Sequence, residues 1–278
     1  MKTIEISKSA LKITQIGFGC ARLGSGIELP LSSGLIDCAL DYGIRHFDTA
    51  PMYGSEILLG EIFGDSKSIT VTTKVGIDHQ EDRSFKRLFF TPLYRYTARR
   101  ALSYFPKVKA RLHRRHSTHS TNEVPKKYLD NEYILRQLDL SLKRLKRSKI
   151  DIYLIHEPNQ FFITDENRDL FQTLKDQGAI GEFGLAYGAT FPIDATPFGK
   201  INQSAFRENF LSIDSKNDVT NIFHGTLKLA LNNEMLEQNK IQVSQYFANI
   251  VNQHPKSAFL ISASSQRNIR TILSSLNK

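Results

Sequence analysis

Short apolar runs and longer amphipathic stretches alternate along most of the chain. Thr14 to Gly19, Ile44 to Phe47, Ser68 to Thr73, Ile150 to Ile155, Ile180 to Leu185, Gly199 to Gln203, Thr220 to Phe223 and Ala258 to Ser262 each predict a strand. Between them stand helical patterns with punctuation at their ends. Ser55 is placed to cap a helix holding Ile57, Leu58, Leu59, Ile62 and Phe63, with Gly64 as its stop. Asn131 to Leu145 sets Ile134, Leu138, Leu142 and Leu145 on one face, and Asp165 to Lys175 closes at Gly178. Ile241 to Val251 and Gln266 to Leu276 are predicted helices near the C-terminus. The helices after the fifth and sixth strands are expected to be short or degraded, because few residues separate Leu185 from Gly199.

Eight strands alternating with helices imply a parallel sheet, either open and doubly wound or closed into a barrel. Residues 3–6 and 11–14 are spaced to pair as a hairpin ahead of it. No internal repeat or low-complexity linker interrupts the pattern, so 1–278 is expected to be one domain. It carries a basic insertion at about 80–127.

Composition changes this picture in one place. The formal net charge is +9, but twelve Lys and Arg against the single acid Glu123 lie between Lys86 and Lys127. That segment carries +11 and leaves −2 for everything else, so the basicity belongs to the insertion. A nucleic-acid role would rest on that tract alone, with no recognition-helix or aromatic-platform motif to support it. Its His113, His116 and His119 recur every three residues within a tract that reads as a solvated basic one, and no metal site is assigned. Two cysteines cannot make a disulfide framework, and no apolar run approaches a membrane span. The expected setting is therefore cytoplasmic.

In a closed parallel barrel all strands open onto one face, which holds the active site. Asp48, Lys74 and His156 would emerge there from the second, third and fourth strands. Tyr53 lies five residues past Asp48 in Pro51-Met52-Tyr53-Gly54, whose turn residues can fold it back over the mouth. A phenol is a poor acid at neutral pH, and a cationic neighbour brings its pKa down. Lys74 can be that cation, Asp48 can hold Lys74 charged, and His156 can bond a substrate oxygen. Together the four types suit a proton-donating site.

Phe47 to Glu56 with Leu59-Gly60 behind it, Thr73-Lys74-Val75-Gly76, and Ser141 to Leu145 leading to Asp151 to His156 resemble the aldo-keto reductases. The resemblance runs from about Ile13 to Leu276, broken by the basic insertion. It implies a (β/α)8 TIM barrel, and places Asp48, Tyr53, Lys74 and His156 on the family's catalytic tetrad. The implied activity is reversible hydride transfer between a nicotinamide and a carbonyl or alcohol. Gln203 matches the family's sixth-strand glutamine, a carboxamide contact, whereas Ala186-Tyr187 stands where a Ser-Asn pair is usual. Phe223 and His224 are the nearest candidates for the ring that stacks on the nicotinamide. Ser262, Ser264, Arg267 and Asn268 fall on the phosphate-binding segment, which favours NADPH and leaves NADH open. The alternative function is a catalytically weak nicotinamide-binding regulatory or partner subunit. The expected partner is a small carbonyl substrate, anionic if the insertion serves the mouth, such as a sugar or nucleotide-sugar derivative. The oligomeric state is not legible.

Overall fold

The computed structural model describes residues 1–21, 23, 29–77, 126–188, 197–207, 218–227, 240–274 and 276. In chain order the elements are β1 (Thr3–Glu5), β2 (Lys12–Thr14), β3 (Ile16–Gly19), α1 (Leu29–Asp41), β4 (His46–Asp48), α2 (Glu56–Phe63) and β5 (Thr70–Val75). After the insertion come β6 (Lys127–Tyr128), α3 (Asn131–Leu145), β7 (Ile150–His156), β8 (Phe161–Phe162), α4 (Asp165–Asp176) and β9 (Ile180–Ala186). The chain continues through β10 (Ile201–Ala205), β11 (Thr220–His224), α5 (Lys240–Gln253), β12 (Ala258–Ile261) and α6 (Gln266–Ser274).

Eight strands close into a barrel in chain order, β3, β4, β5, β7, β9, β10, β11 and β12, with β12 returning to β3. Every pairing in the ring is parallel. This is the (β/α)8 barrel that the resemblance implied, and it resolves the choice that alternation alone left between an open and a closed sheet. β1 and β2 form the antiparallel hairpin, with Ile4 facing Ile13. Its Ile4, Ile6 and Ile13 pack on Ile152, Leu154, Ala186, Ile201, Ile222, Ala258 and Leu260, which are the inward side chains of the barrel strands. The alternate residues Tyr153, Ile155, Phe183, Leu185, Phe223 and Phe259 belong to the outer core, packed with the helices. The period of two along each strand thus separates two cores, one inside the ring and one around it.

Two of the helices start on side-chain caps, and a third does not use the cap its sequence offers. Asp130 caps α3 by accepting from the Glu132 N–H, and Thr164 with Asn167 forms a reciprocal capping box on α4. Ser55 does not cap α2; its hydroxyl instead bonds Thr49 Oγ1 at 2.7 Å. That bond ties the start of α2 to the loop leaving β4. Strand boundaries also shift, by up to two residues from the sequence reading, so that Asp48, Lys74 and His156 belong to the strands rather than lying just past them. Among the described residues no helix stands between β9 and β10 or between β10 and β11. None is long and apolar enough to cross a membrane.

Most of the basic insertion, including His113, His116, His119 and the arginines from Arg95 to Arg115, lies outside the described residues. Its two flanks are described. Gly76, with φ +122°, lets the chain leave β5 close to His156 O and the Phe161 ring. At the other flank β6 pairs in parallel with β8, just beyond the end of β7. The segment therefore departs from and returns to the face where the strands end.

Candidate active site

Alternation along β4 sends Phe47 outward and His46 and Asp48 inward. β5 likewise sends Thr72 and Lys74 inward, and β7 ends with His156 at the mouth. Lys74 is 2% exposed, so its charge must be answered by nearby oxygens. Its Nζ donates to both Asp48 carboxylate oxygens and to Thr49 O, each at 2.8 Å. Thr49 reaches it because its own N–H bonds Thr72 O, which carries the chain one step along β5. Gln203, inward on β10, donates from Nε2 to Asp48 Oδ2 at 2.9 Å. The carboxylate is thus held from two sides.

Tyr53 ends a 3-10 turn at Pro51–Tyr53, and Gly54 at φ 72° closes the turn with its N–H on Pro51 O. The turn brings the phenol ring back over the mouth, 5.2 Å from Lys74 Nζ to ring centroid. His156 meets the same ring edge-on, 5.9 Å between centroids at 86°. All four residues that the sequence singled out are therefore brought together.

The electrostatics differ from the sequence expectation at one point. The Lys74 charge is the largest single influence on Tyr53 and lowers its pKa. Burial, with Asp48, Glu157 and Cys20, outweighs it, and the phenol sits above its ordinary value. Burial works against the charged form of Lys74, but Asp48 and Tyr53 more than offset it and hold the ammonium above its usual pKa. Burial, reinforced by Lys74, takes His156 down to about 3, so its imidazole is neutral at physiological pH. The site holds a protonated phenol, a neutral imidazole and a paired ammonium.

The sites expected to hold a cofactor divide. Gln203 Oε1 is buried and has no hydrogen-bond partner among the described residues, so an acceptor beside Asp48 awaits a donor. His224 lies at the mouth, its Nε2 3.2 Å from Tyr187 O at the end of β9. Phe223 points the other way: it is buried among Phe206, His254 and Phe259 outside the ring, so it does not reach the mouth. Strand alternation imposes this, since adjacent residues of β11 cannot face the same core. Ser262 bonds Gly19 O at 3.1 Å and joins the end of β12 to that of β3. Ser264 and Arg267 are exposed and Asn268 half-buried around the start of α6. There Ser265 receives the Asn268 N–H.

Three features escaped sequence reading. Thr49 O is a backbone group and carries no side-chain signal. His46, two residues before Asp48, lies fully buried beneath the pair with Nε2 2.9 Å from Thr72 Oγ1. The inward spacing of two from Asp48 was the signal that could have found it. Glu157 follows His156 with φ 51°, a left-handed conformation no local sequence rule assigns to Glu.

A closed parallel barrel with a buried ammonium–carboxylate pair beneath a tyrosine and a neutral histidine defines a class: barrel proteins with a protonated phenol seated over a charged pair at the strand ends. A sequence model of the Aldo/keto reductase family matches residues 15–194, and the chain belongs to that family. It is 23% identical over 247 residues to the aldo-keto reductase YhdN of Bacillus subtilis, covering 82% of this chain. It spans 62% of that relative's length. Among solved structures, an aldo-keto reductase of Klebsiella pneumoniae in complex with NADPH superposes with a TM-score of 0.68 at 15% identity, over 100% of this chain and 90% of that one. The holo form of AKR11C1 from Bacillus halodurans gives 0.66 at 17% identity, over 100% and 91%. Both likenesses are of fold.

Proposed function

We propose that this protein is an oxidoreductase that interconverts a carbonyl and an alcohol with NADP(H), using Tyr53 as its proton donor. The observation that carries the reading is the Lys74 ammonium, locked at 2.8 Å by both oxygens of Asp48 and lying 5.2 Å from the Tyr53 ring. A structural ion pair would serve the barrel equally well without a phenol folded over it. When bound, the nicotinamide supplies a hydride to the carbonyl carbon. Tyr53 gives its proton to the carbonyl oxygen, and the Lys74 charge stabilises the phenolate left behind. Asp48 keeps Lys74 charged and oriented, and neutral His156 offers an N–H to the same oxygen.

The residues at the mouth fit a nicotinamide cofactor. The unpartnered Gln203 Oε1 suits an amide donor, with His224 as the ring beside it. Ser262, Ser264, Arg267 and Asn268 would hold phosphate at the start of α6, where first-turn N–H groups and a cation favour an anion. Arg267 has no ion-pair partner among the described residues, which supports NADPH over NADH. Because the +11 segment joins the barrel at its strand ends, we take the substrate to be an anionic, sugar-like carbonyl compound.

Replacing Tyr53 with Phe tests the reading. Nicotinamide binding, followed by fluorescence titration, should remain close to normal while turnover falls roughly 10²-fold or more. Carbonyl reduction by Tyr53→Phe at the unmodified rate would remove Tyr53 as the donor.

A further inference from the structure

We infer that Glu157 is a specificity-determining residue, a carboxylate at the mouth that accepts a hydrogen bond from a hydroxyl neighbouring the substrate carbonyl. The inference rests on the carbonyl-reductase reading above and deepens it to hydroxylated carbonyl compounds.

Glu157 directly follows His156, at the end of β7. Its N–H bonds Ala186 O at 2.7 Å and its carbonyl receives the Gln160 N–H at 3.0 Å, so its backbone is pinned. It is pinned at φ 51°, ψ 58°, where a side chain crowds its own backbone and glycine would be at ease. Only two other non-glycine residues among those described, Lys8 and Lys146, share a positive φ, and Lys146 is a helix C-cap, a place where this conformation is routine. Glu157 has no such excuse. Strain of this kind at a site mouth points to a side chain whose position matters.

The side chain reaches Gly188, just past the end of the neighbouring strand β9. Its carboxyl group occupies the space that a side-chain carbon at 188 would take, with Cδ 2.9 Å from that position. No hydrogen bond or ion pair with a described residue engages the carboxylate. It is half-buried and close enough to Tyr53 to raise the phenol's pKa. A half-buried carboxylate with open lone pairs is an acceptor available to a donor at the mouth. A hydroxyl fits this position better than an ammonium, because Lys74 already places a cation near Tyr53 and the whole chain carries +9.

The test compares two neutral substrates of equal length, glyceraldehyde and propanal, on the full chain with NADPH. The quantity read is the ratio of their kcat/KM values, which cancels general damage to the site. Glu157→Gly removes the carboxylate while relaxing the backbone, and should unfold at a temperature no lower than the unmodified protein. Its ratio should fall about tenfold or more in favour of propanal, the scale of losing a hydrogen bond to a charged acceptor. Glu157→Gln, which keeps one acceptor oxygen but no charge, should fall between the two. An unchanged ratio in Glu157→Gly overturns the inference while leaving the reductase reading intact. Reduction of neither aldehyde by the unmodified protein overturns both.

Discussion

His46 shows how one buried side chain links the site to the stability of the molecule. It lies inside the barrel under the Asp48–Lys74 pair, in a space that Gly17 leaves open; a side-chain carbon at 17 would come within 2.7 Å of His46 Nδ1. Burial, reinforced by Lys74, lowers its pKa to about 4, and His156 is lowered to about 3. Both stay neutral in the fold where the unfolded chain takes up protons below about pH 6.5. Stability is therefore fully present above pH 6.5 and drains away as the pH falls toward 4 and then 3. The slope is about 1.4 kcal/mol per pH unit for each histidine that resists protonation. Urea denaturation at pH 7, 6 and 5 should show the midpoint falling, and His46→Gln should flatten the fall. A midpoint with no pH dependence in that window would contradict the neutral imidazoles. The phenol obeys the same physics, and the net effect there was not legible. Its cationic neighbour follows from spacing, but the depth of burial around it depends on every loop at the mouth.

At the scale of elements, α2 holds the Tyr53 turn in place from behind. Its buried Glu56 accepts from Thr73 Oγ1 at 2.6 Å and from Arg144 Nε at 2.5 Å, which ties α2 to β5 and to the end of α3. Gly60 makes the contact possible. A side-chain carbon there would run into the carbonyl oxygen of Arg144 and lie 2.9 Å from the Leu145 carbonyl carbon. These are backbone atoms near the end of a helix, and they yield only if the helices part. Gly60→Ala should therefore destabilise by about 1–3 kcal/mol, against the gain usually expected of alanine in a helix. Chemical denaturation measures it, and a stabilised Gly60→Ala would show that α2 and α3 can separate freely. The sequence marked Gly60 only as part of a motif. Its packing role needed the partner helix, 84 residues later, to be in position.

The whole molecule concentrates its charge in one excursion. β5 and β6 place both flanks of the segment at the strand ends, and it contributes +11 to a chain otherwise near neutral. Positive charge at a pocket raises the local concentration of anions and speeds their association, an effect that salt screens within about 10 Å at 0.1 M. Neutralising Arg99, Arg100, Arg114 and Arg115 together should raise KM for an anionic carbonyl substrate and flatten its dependence on ionic strength. A neutral aldehyde should respond much less. Equal responses of the two would detach the segment's charge from the site.

Alternation of apolar runs with helical periods was enough to count eight strands and to make them parallel, because each period reports which face a backbone geometry buries. The hairpin at residues 3–6 and 11–14 was legible for the same reason, as were Asp48, Tyr53, Lys74 and His156, whose types and strand-end positions are properties of the local chain. Closure of the sheet was legible only through the family resemblance, since alternation serves an open sheet equally well. The choice between Phe223 and His224 was not legible; one residue of register decides it by turning one outward and the other to the mouth. Ser55 reads as a cap and becomes a tether for Thr49, because its neighbour across the loop offers a better partner than its own helix. The Gln203 bond to Asp48 joins residues 155 positions apart. Contacts of that span, and the burial that sets each pKa, exist only once the ring has closed, since local sequence encodes conformation while closure alone brings distant residues face to face.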